Sequence, residues 1–292
     1  MKPAPFEYER PDTVVQALDA LAIHGERAKV LAGGQSLIPM LNLRVLKTER
    51  LIDIGRLDEL RYVKSVGDEI RIGALTTHNV VMNAELIRSG CPIIAEAYRQ
   101  VSHHSVRNRG TIGGSLCHND PAAEMPLVMN LVGAILLARS AKSEREIAAS
   151  QFFAGTFSTV LGADELLVEI RVPKAPARHG WSFQEISQRQ GDFALVAAGA
   201  MLTLDAGRCQ DVRIGYSNVG LEGFRLAPVE ALLQGKAADA GLLSQAGELA
   251  VQSVDPPADV HADAAYRRDL VRTLTVRVLR QALERAAQGS SS

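Results

Sequence analysis

Two glycine pairs, Gly33-Gly34 and Gly113-Gly114, constrain this chain more than any other feature, because each lies at the mouth of a structural element with serine or threonine beside it. The first pair follows the short apolar run 29–32 and precedes residues 37–46, whose apolar positions resume helical spacing with Pro39 tolerated in a first turn. A strand, a glycine turn and a helix in that order describe an α/β unit. Thr111-Ile-Gly-Gly-Ser115 repeats the design. Glycine lets backbone N–H groups approach an anion because no β-carbon intervenes, so two such turns in one domain can clamp a diphosphate from both sides. From spacing alone each is equally an ordinary turn of an α/β fold.

The elements around these turns support a mixed fold. Residues 12–23 place Val14, Ala17, Leu18 and Leu21 on one helical face, with Thr13 and Gln16 at capping-box spacing. Strands are predicted at 51–54 and 69–72, a helix from 78 to about 88, and another from 92 to 101. Residues 102–126 contain three glycines and many polar groups that break any period, and they read as a long functional loop. Asp120 and Pro121 within it read as a helix cap and first-turn proline. Glu124 reads first as a solvated helix residue and second as an acceptor for ribose hydroxyls. Further strands are predicted at 133–139 and 166–172, with a short helix at 147–153. Residues 173–180 have a linker's composition. Strands at 181–186, 195–204 and 212–219 then lead into a helical remainder that ends in 266–287, with 289–292 frayed at the end.

Composition excludes several functions. Lys and Arg number 32 against 33 Asp and Glu, so no basic field attracts nucleic acid. No stretch approaches the roughly 20 apolar residues that span a membrane, and no signal-peptide core is present, so a cytoplasmic protein is expected. The three cysteines, Cys91, Cys117 and Cys209, are scattered, too few for an iron–sulfur cluster, and read as small buried side chains. Neither G-x-G-x-x-G nor a phosphate loop occurs. His103 and His104 are adjacent without a further ligand at useful spacing, and His78 and His118 read as polar loop residues, so no metal is expected. Arg107 and Arg109 read as pins of the loop or as phosphate partners.

Five segments turn this pattern into a resemblance. Ala32-Gly-Gly-Gln-Ser-Leu37, Ile72-Gly-Ala-Leu-Thr-Thr-His78, Arg109-Gly-Thr-Ile-Gly-Gly-Ser-Leu116 running on to His118-Asn-Asp-Pro-Ala-Ala-Glu124, Arg189-Gln-Gly-Asp-Phe-Ala194 and the stretch 259–268 resemble, in order, the FAD-binding medium subunits of molybdenum hydroxylases. These include the xanthine dehydrogenase, carbon monoxide dehydrogenase and quinoline oxidoreductase types. The resemblance implies an α+β fold: a two-part FAD-binding domain of the vanillyl-alcohol-oxidase-like (PCMH) class over 1–175, then a smaller α+β domain over 181–288 like the C-terminal domain of the carbon monoxide dehydrogenase flavoprotein.

It also implies noncovalent FAD, with molybdenum cofactor and [2Fe–2S] clusters on partner subunits, a large molybdopterin subunit and a small iron–sulfur subunit, in a dimer of heterotrimers. Leu31, Ala32, Gly33, Gly34, Gln35, Ser36 and Leu37, with Thr111, Ile112, Gly113, Gly114 and Ser115, would hold the diphosphate. Glu124 would serve the adenosine end, with Asp120 also among the cofactor-binding residues, Leu167 the flavin or adenine region, and Asp192 and Phe193 the isoalloxazine ring. Two departures stand out: Phe193 where many relatives have Tyr, and no Lys in 183–187 where some relatives carry one. The implied role is an electron relay with no catalytic acid or base on this chain. The complex would oxidise an N-heteroaromatic compound, carbon monoxide or an aldehyde on its large subunit and pass electrons to an external acceptor. A self-sufficient FAD-dependent alcohol oxidase and a flavin-free assembly module are the competing expectations.

Overall fold

The computed structural model describes residues 1–221 and 223–289. Packing divides the chain into two compact units, the first formed by Met1–Leu86, His103–Asn119 and Ala134–Pro173, the second by Ile87–Ser102, Asp120–Gly133 and Lys174–Ser292. The division is therefore not a single cut near residue 175, since two early helical segments pack with the C-terminal strands.

The first unit begins with β1 (Glu7–Glu9), α1 (Val14–His24), β2 (Ala28–Leu31), α2 (Leu37–Asn42) and β3 (Arg50–Asp53). The strands form a parallel sheet in the order β1-β3-β2. Thr13 Oγ1 accepts the Gln16 N–H at 3.2 Å, as the spacing predicts, while Gln16 Oε1 accepts from the Asp12 N–H at 2.8 Å, one residue before the reciprocal bond of a standard capping box. The α1 stripe of Val14, Ala17, Leu18 and Leu21 is buried in one core with Ile52, Ile54 and Leu57. Helix α2 stops at Asn42, short of the expected 46, because Arg44 turns left-handed at φ 59°.

Next come β4 (Val63–Val66), β5 (Glu69–Gly73), α3 (His78–Asn83), α4 (Glu85–Gly90), α5 (Pro92–Tyr98), α6 (His104–Arg107), α7 (Ile112–His118), α8 (Glu124–Val132), β6 (Ile135–Arg139), β7 (Glu144–Ala148), α9 (Ala149–Phe152), β8 (Phe153–Gly155), β9 (Ser158–Thr159) and β10 (Leu166–Pro173). The expected helix 78–88 is broken at Ala84, which is extended. Five strands build an antiparallel sheet in the order β4-β5-β10-β6-β7.

The stretch expected as a long loop is largely helical. Gly113 and Gly114 lie in the first turn of α7, where Thr111 is the N-cap, and a helix needs no apolar period over so short a span. Asp120 is not a helix cap: its Oδ1 accepts the Ala122 N–H at 2.9 Å in a turn, and α8 begins after Ala123 without a side-chain cap.

The second unit is completed by β11 (His179–Ser187), β12 (Ala194–Asp205), β13 (Arg208–Ser217), α10 (Ala227–Leu233), α11 (Ala240–Gln252) and α12 (Ala264–Gly289). The three strands form an antiparallel meander. One face, with Val196, Ala198, Ala200, Ile214 and Tyr216, shares a core with α10, α11 and α12, and the other is covered by α5 and α8. β11 starts inside the expected linker because α12 presses on it: a β-carbon at Gly180 would stand 1.7 Å from the Ala282 carbonyl oxygen. The fraying expected at the C-terminus falls mainly on residues 290–292, which lie outside the described residues. Among the described residues no helix is long and apolar enough to cross a membrane.

Candidate functional site

The two glycine loops meet in the first unit. A β-carbon at Gly33 would stand 2.3 Å from the Arg109 carbonyl oxygen and 2.8 Å from Gly110 Cα, so the first loop lies directly against the backbone that leads into the second. Gly34 is required for a different reason, its φ of 71°. A β-carbon at Gly114 would point toward Ala32, 3.7 Å from its Cβ, while also pressing on Thr111 Oγ1 at 2.8 Å. The turns therefore face one another.

Their hydrogen bonds differ. In the second loop Ile112 N–H donates to Thr76 O at 3.0 Å, Gly113 N–H to Ala74 O at 2.9 Å and Gly114 N–H to Thr111 Oγ1 at 3.1 Å. In the first loop, among the described residues, the N–H groups of Gly33, Gly34, Gln35 and Ser36 donate to nothing; only the Gln35 side chain bonds locally, to Gly33 O at 3.1 Å. Leu31 to Leu37 are all half-buried, which leaves these donors partly withdrawn from water but reachable. A half-buried row of free amides suits the diphosphate of FAD, which brings acceptor oxygens and no donors. The second loop adds the hydroxyls of Thr111 and Ser115 rather than free amides.

His78 holds the second loop from below. It is 6% exposed rather than a polar loop residue, its N–H donates to Gly110 O at 3.0 Å, and its ring occupies the space that a Gly110 side chain would need. Burial, and then the nearby Arg107 charge, push its pKa down to about 4, so it is neutral at physiological pH. Leu167, 3% exposed on β10 beside a register shift, is also in this unit.

The other expected residues fall in the second unit. Asp192 and Phe193 sit on the exposed β11–β12 turn, where Asp192 N–H donates to Arg189 O at 3.0 Å and Phe193 is 61% exposed. The start of β12 just after them is anchored: Asn218 Nδ2 donates to Ala194 O at 2.9 Å and Arg267 Nη1 to Leu195 O. Glu124 is not solvated. It is 6% exposed in the first turn of α8, and burial lifts its pKa to about 7 despite the opposing effect of its own backbone N–H, with Asp120 adding to the rise.

Ala74 and Thr76 lie in the segment 72–78 that carries the resemblance, but sequence assigns them no role, because a backbone acceptor, here for the second loop's donors, carries no residue signature. Sequence reasoning also passed over Glu185, a polar residue in an alternating strand that happens to face inward.

Comparison with known proteins shows the family. Residues 4–175 match the family model described as the FAD binding domain in molybdopterin dehydrogenase, and residues 181–282 match that of the CO dehydrogenase flavoprotein C-terminal domain. The chain is 39% identical, over 98% of its length and 97% of the relative's, to the 6-hydroxypseudooxynicotine dehydrogenase complex subunit alpha of Paenarthrobacter nicotinovorans. Its fold is similar to that of carbon monoxide dehydrogenase from Hydrogenophaga pseudoflava, with a TM-score of 0.95 and 35% identity over 98% of this chain and 99% of that one. It is likewise similar to quinoline 2-oxidoreductase from Pseudomonas putida 86, with a TM-score of 0.92 and 34% identity over 98% and 99% of the two chains.

Proposed function

Because the chain belongs to the family of FAD-binding medium subunits of molybdenum hydroxylases, we propose that it is the electron relay of such a complex, drawing electrons from [2Fe–2S] clusters on a small subunit. A large molybdopterin subunit oxidises the substrate, an N-heteroaromatic compound, carbon monoxide or an aldehyde, and the assembly is a cytoplasmic dimer of heterotrimers. Bound flavin can take electrons one at a time and give up two together to an external acceptor.

The observation that carries this reading is the row of free N–H groups from Gly33 to Ser36, set against the second glycine loop. These four amides would bind the diphosphate, with Leu31, Ala32 and Leu37 shaping the cradle, and Thr111 and Ser115 would donate hydroxyls from across it. Ile112 and Gly113, tied to β5's trailing backbone, fix where those hydroxyls point. Leu167 supplies an apolar surface. In the second unit, Asp120 and Glu124 are the proposed partners of cofactor hydroxyls, and Asp192 and Phe193 of the ring. Phe193 can cover a ring by apolar contact but has no hydroxyl with which to bond it. The chain's own work is binding, orientation and exclusion of water.

The test is the visible spectrum of the purified full chain after incubation with FAD and desalting. Flavin bands near ~450 nm that move to the supernatant on acid precipitation are expected. Gly114→Val should abolish that retention with an unchanged far-UV circular dichroism spectrum, because its side chain enters the gap toward Ala32. A parent chain that stays colourless, or a variant that retains FAD as the parent does, overturns the loop assignment.

A further inference from the structure

The face of the second unit's sheet that lies under α5 and α8 carries a polar row. Strand register sets Phe183, Gly199 and Gly215 side by side, and Glu185, Ala197 and Ser217 form the next row toward the β11–β12 turn. Residues paired across neighbouring strands project from the same face. A β-carbon at Gly199 would meet Leu131 Cδ1 at 2.5 Å and one at Gly215 would meet Leu127 Cδ1 at 2.9 Å, so α8 lies on this face. Its C-terminal end is held where Arg213 Nη1 donates to Leu131 O at 3.1 Å, and Arg213 pairs with Met201 on the far side of the glycine row. Glu124, at the opposite end of α8 and one turn before Leu127, is thereby presented toward Glu185.

The row is polar but unsatisfied. Both carboxyl oxygens of Glu185 and Ser217 Oγ are buried without a hydrogen-bond partner, Ser217 being 2% exposed, while the one donor recorded at the Glu124 carboxyl, among the described residues, is its own backbone N–H. Among the described residues no cation is recorded as offsetting this. The charge of Asp120 bears on Glu124, that of Glu124 bears on Glu185, and Tyr98 of α5 feels Glu124. Glu96 of α5 is consumed by Trp181, the Phe183 N–H and Arg285. Arg213 of β13 is bonded to Asp211 at the other end of α8. The β12 residues on this face are Ala197, Gly199 and Met201, and α12 reaches the sheet from its opposite side.

Two buried carboxyl groups served by a single backbone N–H resist being ionised together. We propose that Glu124 and Glu185 form one coupled acid pair that stays at least singly protonated at neutral pH, with Glu185 as the positioning residue that keeps Glu124 able to donate as well as accept a hydrogen bond. Burial supports this by raising both groups, Glu124 to about 7 and Glu185 to about 8, and the charge of Glu124 adds to the rise at Glu185. The use of the proton, presenting a donor to the cofactor, rests on the flavin reading above; the pair itself does not.

The experiment follows the side-chain carboxyl carbons of the full, flavin-free chain by NMR after labelling its glutamates. Two resonances should titrate between about pH 6 and 9, and Glu185→Gln should lower the midpoint of Glu124 by about one unit or more, with the converse for Glu124→Gln. Midpoints in the ordinary carboxylate range, or midpoints unmoved by loss of the partner, overturn the pair. FAD affinity measured against pH should show an inflection in the same window that moves to lower pH in Glu185→Gln. A flat profile overturns the positioning role. A parent chain that binds no FAD at any pH overturns that role together with the flavin reading, while the NMR titration still decides the pair.

Discussion

Gly33 and Arg109 touch through their backbones: a β-carbon on the first would stand 2.3 Å from the carbonyl oxygen of the second. Neither side of that contact is a flexible side chain, so Gly33→Ala must move one loop. A cost of about 1–3 kcal/mol is expected, as for other overpacked positions, together with loss of FAD retention. Gly34→Ala is a milder change, because the space beside it is lined by the Ile38 and Leu31 side chains and the strain lies mainly in its φ of 71°, worth about 1–2 kcal/mol. Urea midpoints with FAD titrations separate the two; equal loss of FAD affinity would show that the contact between loops is immaterial.

Thr111 caps α7 through its hydroxyl, which accepts the Gly114 N–H at 3.1 Å. Thr111→Val keeps the shape and removes the acceptor, so stability should fall by about 1 kcal/mol and FAD affinity should fall with it. Thr111→Ser should restore both. Differential scanning calorimetry and fluorescence quenching of added FAD would read the pair of effects.

His78 makes the first unit sensitive to acid. Its folded pKa, about 4, lies below the unfolded value of 6.5, so the unfolded chain binds the proton more readily. Its contribution is complete above about pH 6.5 and is lost as pH falls toward about 4, a change on the order of 3 kcal/mol. Denaturant midpoints at pH 7 and 5 should differ less in His78→Gln than in the parent. An equal difference would remove His78 as the cause.

Arg267 is fully buried at the start of α12, donating to Leu195 O and, at 2.7 Å, to Asp259 Oδ2. Arg267→Ala leaves the buried Leu195 carbonyl without its donor and empties the space of a fully buried side chain, and a loss of about 2–5 kcal/mol is expected. Asp259→Asn should cost far less, since that carboxylate is 41% exposed and also accepts the His261 and Ala262 N–H groups. Urea denaturation orders them, and comparable losses would contradict this account of the cluster.

Much of this architecture is legible in the chain, but unevenly. The α1 stripe, the three long strands of the second unit and the closing helix repeat a period often enough to identify themselves. Helices α6 and α7 do not, because four and seven residues span too few turns for a period to emerge, and glycines inside a capped first turn look like glycines in a loop. Glu124 is hidden from sequence for a related reason: a carboxylate at a helix start is usually solvated, and only the packing of α8 through Leu127 and Leu131 shows that this one is not. The glycine pairs mark where the two loops meet, yet the difference between free donors in one loop and consumed donors in the other depends on Ala74 and Thr76, which are remote in sequence from both.

The membership of α5 and α8 in the second unit has a consequence for biosynthesis. Ile93, Ile94, Leu127 and Leu131 emerge from the ribosome well before the strands that shelter them, β11 to β13, have been made. Until translation passes Ser217 these oily helices lack the sheet they rest on, so the nascent polypeptide carries exposed apolar surface midway through synthesis. A fragment released at residue 175 would keep that surface exposed permanently.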